Sequence, residues 1–256
     1  MQKIELDYQH NVRDLGGLVA HNGLKVKKGR LFRSGFLGKV SPSDIVKINA
    51  LHLTDIIDFR GVVEFEKRPD YKFDGVTYHN FPPLVENIRE EEKNLSDANL
   101  LWFVDDSVGG FRHMYQMYQT MLTTEVGLEA YSNFFKVLLN EDRKVLFHCS
   151  QGKDRAGLAA FLLEIALGVP EEEAKIDYLL TNEAMDLKIE ELLKIEKKKE
   201  HYNERYHQSL IDVFSAKEEY LKTTIDSLNE QFGSVLNYIK KALNVDVDRL
   251  RSLYLE

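Results

Sequence analysis

The sequence predicts an α/β fold: a mainly parallel central sheet flanked by helices, followed by a helix-rich C-terminal part. Three observations carry that prediction. Short β-prone apolar runs alternate with helical patterns as far as Val145. There the run Val145-Leu146-Phe147 enters a glycine-containing loop that opens into a helix-like stretch from Leu158 to Ala166. Beyond Gly168 and Pro170 the patterns are helical almost to the C-terminus.

Taken in order, Gly29-Arg30-Leu31-Phe32-Arg33-Ser34-Gly35 reads as a short strand ending in a turn. Ser43-Asp44 caps a helix to Leu51, with Ile45, Ile48 and Leu51 on one face. Leu53 to Phe59 is an apolar strand, Val76-Thr77-Tyr78 begins another, and Pro82-Pro83 ends the pattern. Residues 86–112 start acidic and end with glycines, a surface excursion with one helical turn. Helical patterns then cover Met114 to Leu122 and Leu128 to Leu139. After the central strand, loop and helix come a helix from Glu171 to Leu180 and a charged stretch from Glu183 to Arg205. Further helices span Ser215 to Gln231, Val235 to Leu243 and Val247 to Leu255, with Gly233 as a break. Lys197-Lys198-Lys199 reads as a solvated helix face.

A chain of 256 residues suits a single domain over 1–256, with its helical C-terminal region starting near Glu183. Hydrophobic content of 43%, with 12 Tyr and 14 Phe, supplies a core and argues against disorder. The net charge of −8 disfavours nucleic acid and anionic membrane as partners of the whole surface. No apolar run approaches the roughly 18 residues of a membrane span, and Met1 to Asp7 is mixed and polar rather than leader-like. The chain has 1 cysteine, which excludes an internal disulfide and suits a reducing compartment. The expectation is a soluble, cytoplasmic protein without stable membrane insertion.

That cysteine carries the functional signal. Cys149 lies where a strand ends and faces the first turn of a helix. Unpaired N–H groups and the positive end of the helix dipole converge there on any anion. Arg155 follows in the same loop and can fold back as a planar fork of donors. A nucleophilic sulfur must act as thiolate, and this is the environment that favours one. Such equipment suits cleavage of a phosphate ester. The bland alternative is a small buried hydrophobe, the usual fate of a lone cysteine. Two glycines at fixed loop positions coincide by chance only about once in 200 at average usage. His148, Arg155 and the strand–loop–helix context weaken that alternative further. No cluster has convincing metal-ligand spacing, and thiol plus guanidinium need no cofactor.

The run His148-Cys149-x-x-Gly152-x-x-Arg155 resembles the signature of cysteine-dependent protein tyrosine phosphatases. With Lys153 and Asp154 before the arginine, it is similar to a bacterial and fungal branch that includes mycobacterial PtpB-type and Listeria LipA-type enzymes. The same branch has motifs resembling Asn11-Val12-Arg13-Asp14-Leu15-Gly16-Gly17, Phe32-Arg33-Ser34-Gly35 and Asp55-Ile56-Ile57-Asp58-Phe59-Arg60. Asp177-Tyr178 through Asn182 and the closing Leu250 to Leu255 are also similar, so the resemblance covers nearly the whole chain.

Carried over by position, the resemblance implies that Cys149 attacks phosphorus and Arg155 clamps two phosphoryl oxygens. Loop N–H groups from Ser150, Gln151, Gly152 and Lys153 through Ala156 and Gly157 would bind the rest. Asp154 is the implied general acid, with a helix-capping carboxylate as its structural alternative. Trp102-Phe103-Val104-Asp105-Asp106 loosely echoes the Trp-Pro-Asp loop of other tyrosine phosphatases, which makes Asp105 or Asp106 the second choice. Lys153 adds a cation beside the pocket unless it is simply solvated. The branch implies a phosphotyrosine protein or a phosphoinositide as substrate, with phosphate or another oxyanion seated in the loop. Ala156 departs from the family, which has Thr or Ser there to hydrogen-bond the sulfur. That departure predicts slower hydrolysis of the phosphocysteine, and it keeps open a weakly active phospho-binding module. His148 either fixes the loop backbone or is a plain core histidine. Arg13 with Asp14, and Asp58 with Arg60, are expected as buried pairs that hold the loop. Gly16-Gly17 marks a turn needing positive φ. The helices between Glu183 and Gln231 are either plain surface helices or, as in the resembling branch, a lid.

Overall fold

A computed structural model of the chain describes residues 2–9, 11–84, 109–199 and 202–256. Its strands are β1 (Gln2–Lys3), β2 (Arg13–Asp14), β3 (Leu31–Ser34), β4 (Asp55–Asp58), β5 (Thr77–Asn80) and β6 (Val145–His148). They form one sheet in the order β1-β2-β3-β6-β4-β5. The four strands from β3 to β5 in that order are parallel, and β1 and β2 add an antiparallel ribbon at one edge. Side chains alternate between two faces with the period of 2 that a strand imposes. Phe32, Ile56 and Leu146 enter a smaller core with Ile48, Leu53 and Phe73. Leu31, Ile57, Val145 and Phe147 face the larger core instead.

Helix α1 (Pro42–Asn49) covers the smaller face. It starts earlier than expected: Ser41, not Ser43, is its cap. The Ser41 hydroxyl accepts from the Asp44 N–H, the Asp44 carboxylate accepts from the Ser41 N–H, and Pro42 fits the first turn. A short helix, α2 (Val62–Lys67), follows β4 and has no legible apolar period. Residues 86–108 of the expected excursion lie outside the described residues, and 109–112 open α3 (Gly109–Thr120). With α4 (Glu125–Leu138) and the largely apolar α5 (Arg155–Leu167), α3 builds the larger core.

The C-terminal part is helical as expected, with different boundaries. Helix α6 (Glu171–Glu196) runs unbroken, followed by α7 (Glu204–Phe214), α8 (Glu218–Phe232), α9 (Val235–Lys241) and α10 (Val247–Tyr254). Residues of α7 form a small cluster of their own, Tyr206 and Leu210 against Leu192 and Leu193 of α6. Lys197 and Lys198 are exposed. Among the described residues no helix is long and apolar enough to cross a membrane.

The expected pairing of Arg13 with Asp14 is wrong. Neighbours on a strand point to opposite faces. Asp14 instead accepts from the N–H groups of Gly16 at 2.8 Å and Gly29 at 2.7 Å, pinning the turn in which Gly17 has φ 92°. Arg13 turns the other way, toward α6.

Candidate active site

Parallel registry puts Ser34 and Asp58 level with His148, so the loops after β3, β4 and β6 open on one edge of the sheet. Ligands of open α/β sheets bind outside such carboxyl ends. The loop after β6 begins with Cys149, and neighbouring elements capture its carbonyl groups one by one. Ser150 O accepts from the Phe36 N–H at 3.3 Å, and Gln151 O from Asn11 Nδ2 at 3.0 Å. Gly152 O accepts from Arg33 Nε at 2.9 Å, and Lys153 O from Arg33 Nη2 at 3.2 Å. In a planar trans peptide the following N–H points the opposite way. Four successive N–H groups, from Gln151 to Asp154, therefore turn away from the scaffold and toward the loop's hollow. Together with the start of α5 they make an anion cradle. Gly152 has φ +67°, and a Cβ there would lie 2.4 Å from Ser34 O, so only glycine completes the curve. Gly157 sits in the first turn of α5, where a Cβ would lie 2.8 Å from Arg33 Nη2.

Cys149 is 1% exposed, and its sulfur is near enough to Arg155 and Tyr131 to act on both electrostatically. The Arg155 guanidinium is held at two corners. Nη2 donates to Ser150 Oγ at 3.1 Å, and Nη1 donates to Glu64 Oε2 of α2 at 3.0 Å. Burial pulls its pKa down, but Glu64 and Cys149 outweigh that and hold it above the ordinary value. The Arg155 carbonyl accepts from the Tyr131 hydroxyl at 3.0 Å, which anchors the first turn of α5. Ala156, next in that turn, is fully buried and brings no hydroxyl.

Asp154 stands immediately before α5 but is not a side-chain cap. Its backbone is already helical, at φ −82° and ψ −75°, whereas a capping residue is extended. Its Oδ1 instead accepts from the Tyr118 hydroxyl at 2.7 Å, and the Tyr118 hydroxyl accepts from that of Tyr178 at 2.9 Å. Burial and the Asp154 charge push the Tyr118 hydroxyl well above its ordinary pKa, so it remains the donor. Asp105 and Asp106 lie outside the described residues. Lys153 is not solvated: its side chain is 1% exposed, with Nζ 3.1 Å from Asp154 Oδ1. Its ammonium donates to the carbonyls of Val213 and Ser215 at the C-terminal end of α7.

Two buried ionic clusters support the loop. In one, Asp177 of α6 bridges Arg13 at 2.8 Å and Arg33 at 2.7 Å. Burial opposes ionisation of Asp177, but the two guanidiniums win and lower its pKa. Glu164 is buried beside it, and burial plus the Asp177 charge push its carboxyl well above the ordinary range. In the other cluster Arg60 lies 2.7 Å from Asp58 and 2.9 Å from Asp70, and His148 Nε2 lies 3.2 Å from Asp70. His148 Nδ1 is 3.3 Å from Cys149 O, at the start of the loop. Burial alone would neutralise His148, but Asp58 and Asp70 raise its pKa overall. Asp70 is held at about 2 by His148 and Arg60 against the opposing effect of burial. Asp58, Asp70 and His148 are the one group among the described residues compact enough to suggest a metal site. The Arg60 guanidinium already lies between the carboxylates, so a metal ion does not fit there.

The expected residues Cys149, Asp154 and Arg155 thus meet in one loop, with His148, Asp58 and Arg60 beneath it. Glu64, Asp70, Tyr118, Tyr131 and Glu164 went unread. They come from separate elements, and each is an ordinary surface or core type in its own segment.

A thiol at the end of a central parallel strand, set among amide donors with a guanidinium across from it, is the architecture of cysteine-dependent phosphatases. The chain belongs to the tyrosine phosphatase family, whose sequence model matches residues 4–256. It is 29% identical over 273 residues to a Cupriavidus necator protein provisionally named a tyrosine-protein phosphatase, covering 98% of this chain and 88% of that one. It is 26% identical over 281 residues to the triple specificity protein phosphatase PtpB of Mycobacterium tuberculosis, covering 98% of both. Among solved structures, P. aeruginosa TpbA in complex with phosphotyrosine matches 90% of this chain and 88% of its own, at 13% identity and a TM-score of 0.31.

Proposed function

We infer that this chain hydrolyses phosphotyrosine-type monoesters through a phosphocysteine. The Cys149 sulfur attacks phosphorus as the bond to the tyrosyl oxygen breaks, and Asp154 gives that oxygen its proton. Water then attacks the phosphocysteine, the P–S bond breaks, inorganic phosphate leaves and Asp154 takes up the water's proton. Arg155 and the loop N–H groups hold the phosphoryl oxygens, where charge spreads in both transition states. Every step uses side chains, backbone and water. The observation that carries the reading is the capture of four successive loop carbonyls by Phe36, Asn11 and Arg33, which leaves four amides for the oxyanion. A thiolate nucleophile suits the reducing cytoplasm, where we assign the protein. The name of its M. tuberculosis relative supports a substrate range wider than one phosphoester.

The test is turnover of an aryl phosphate by the wild type and Cys149→Ser, with acid trapping of labelled phosphoenzyme. Wild-type turnover with trapped phosphocysteine, both abolished by the substitution, is expected. Equal turnover by both proteins refutes the mechanism. The missing hydroxyl at Ala156 favours one second reading, a weakly active phospho-binding module. Tight phosphopeptide binding by a wild type without turnover would identify it. A panel of phosphotyrosine, phosphoserine, phosphothreonine and phosphoinositides ranks the substrates.

A further inference from the structure

The Arg155 guanidinium presents five N–H donors in one plane. Neighbouring groups take three of them. Nη1 donates to Glu64 Oε2 at 3.0 Å and to the Phe59 carbonyl at 3.4 Å, and Nη2 donates to Ser150 Oγ at 3.1 Å. Among the described residues, Nε–H and the second Nη2–H meet no acceptor. Nε and Nη2 form one edge of the fork, and a phosphoryl group takes such a pair through two of its oxygens. Ser150 differs from the other two partners. A carbonyl or a carboxylate only accepts, whereas a hydroxyl accepts and donates at once. The Ser150 proton has no acceptor among the described residues, and the residue is buried, so water serves it poorly. Its backbone is fixed as well, because Ser150 O accepts from the Phe36 N–H. With Ala156 after the arginine, residues 149–157 carry one hydroxyl, and it is this one.

Resting on the phosphatase reading above, we propose that the Ser150 hydroxyl positions Arg155 and gives its own proton, as a hydrogen bond, to the bound phosphoryl group. By accepting from one Nη2–H it holds the guanidinium plane at the corner that Glu64 does not reach. That leaves Nε–H and the other Nη2–H for two phosphoryl oxygens. An oxygen seated at Nη2 also comes near the hydroxyl attached to that same nitrogen, and the unmatched proton turns onto it. The serine oxygen keeps the guanidinium on a lone pair meanwhile, so neither contact displaces the other. No covalent bond forms or breaks at Ser150. Its role is confined to the clamp, whereas Asp154 serves the leaving oxygen. The effect of losing it is therefore the same for good and poor leaving groups.

The experiment measures vanadate binding by calorimetry, together with kcat/KM on nitrophenyl and phenyl phosphate. It compares the wild type with Ser150→Ala, Ser150→Thr, Arg155→Lys and the double variant Ser150→Ala/Arg155→Lys. Ser150→Ala should weaken vanadate by about tenfold and lower kcat/KM by a similar factor on both esters. Ser150→Thr keeps the hydroxyl and should recover most of both. Lysine has no fork to hold, so in the Arg155→Lys background the loss of Ser150 should cost less than about twofold. Vanadate binding by Ser150→Ala at wild-type strength overturns the proposal, as does a loss in Ser150→Thr equal to that in Ser150→Ala. Losses that simply multiply in the double variant overturn it too, since they place Ser150 outside the clamp. A deficit that grows with the basicity of the leaving oxygen moves Ser150 to proton delivery and overturns it as well. A wild type that turns over no aryl phosphate, while vanadate still depends on Ser150, sinks the phosphatase chemistry and spares the clamp.

Discussion

Replacing Tyr118 by Phe removes a single oxygen from the hydrogen-bond chain behind Asp154. The ring keeps its neighbours, Tyr220 with centroids 5.5 Å apart and Tyr178 at 6.2 Å. What is lost is the donor 2.7 Å from Asp154 Oδ1. A hydrogen bond to a charged group contributes about 1.5–3 kcal/mol. Lys153 remains 3.1 Å from the same oxygen, so the lower end applies. About 1.5 kcal/mol of lost alignment corresponds to about a tenfold fall in rate when Asp154 must deliver a proton. The assay is kcat for a series of aryl phosphates, from nitrophenyl to unsubstituted phenyl. The deficit in Tyr118→Phe should grow as the leaving oxygen becomes more basic and nearly vanish for nitrophenyl, which departs without a proton. A thermal melt separates this from a folding loss, since the orphaned Tyr178 hydroxyl costs about 1 kcal/mol. Parallel leaving-group plots for the two proteins would refute the assignment of Tyr118 and Asp154 to proton delivery.

Asp177→Asn leaves Arg13 and Arg33 buried without their shared counter-charge and should destabilise by about 4 kcal/mol, roughly 10 °C in Tm. Glu164→Gln, by contrast, replaces a carboxyl whose pKa burial and Asp177 push well up, and should melt within a few degrees of wild type. Stability should also decline at both ends of the pH range, as read by urea unfolding. The raised His148 pKa stabilises the fold below the ring's unfolded value, and that contribution fades as pH rises through the folded one. Asp70, held at about 2, stabilises above its unfolded value, and that contribution fades as pH falls toward 2. Ala156→Thr restores a hydroxyl beside the sulfur and should shorten the lifetime of trapped phosphoenzyme; an unchanged lifetime removes Ala156 from the account of slow turnover.

What was legible in the sequence lay within single segments. Cys149, Gly152 and Arg155 share one loop, and the apolar run before them fixes which end of which strand they occupy. The central strands β3, β4 and β6 were readable for the same reason, because each carries its own apolar run. Partners joined across the fold were not. Glu64 reaches Arg155 from a six-residue helix, and Tyr118 reaches Asp154 from α3. No periodicity links such positions. The pairing of Arg13 with Asp14 failed for another reason: alternation along a strand already forbids it, and sequence proximity misled. Helix α6 looked like two pieces because its second half is charged, yet its i, i+4 face, from Asp177 through Thr181 to Met185, is buried against the rest of the fold.

Lys153 has one further consequence. Its ammonium, sequestered from water, is shared between the catalytic-type loop and the last carbonyls of α7. Detaching α7 requires that charge to find water or another acceptor at the same moment. The two segments should therefore exchange their amide hydrogens as one cooperative unit, although 60 residues separate Lys153 from Val213.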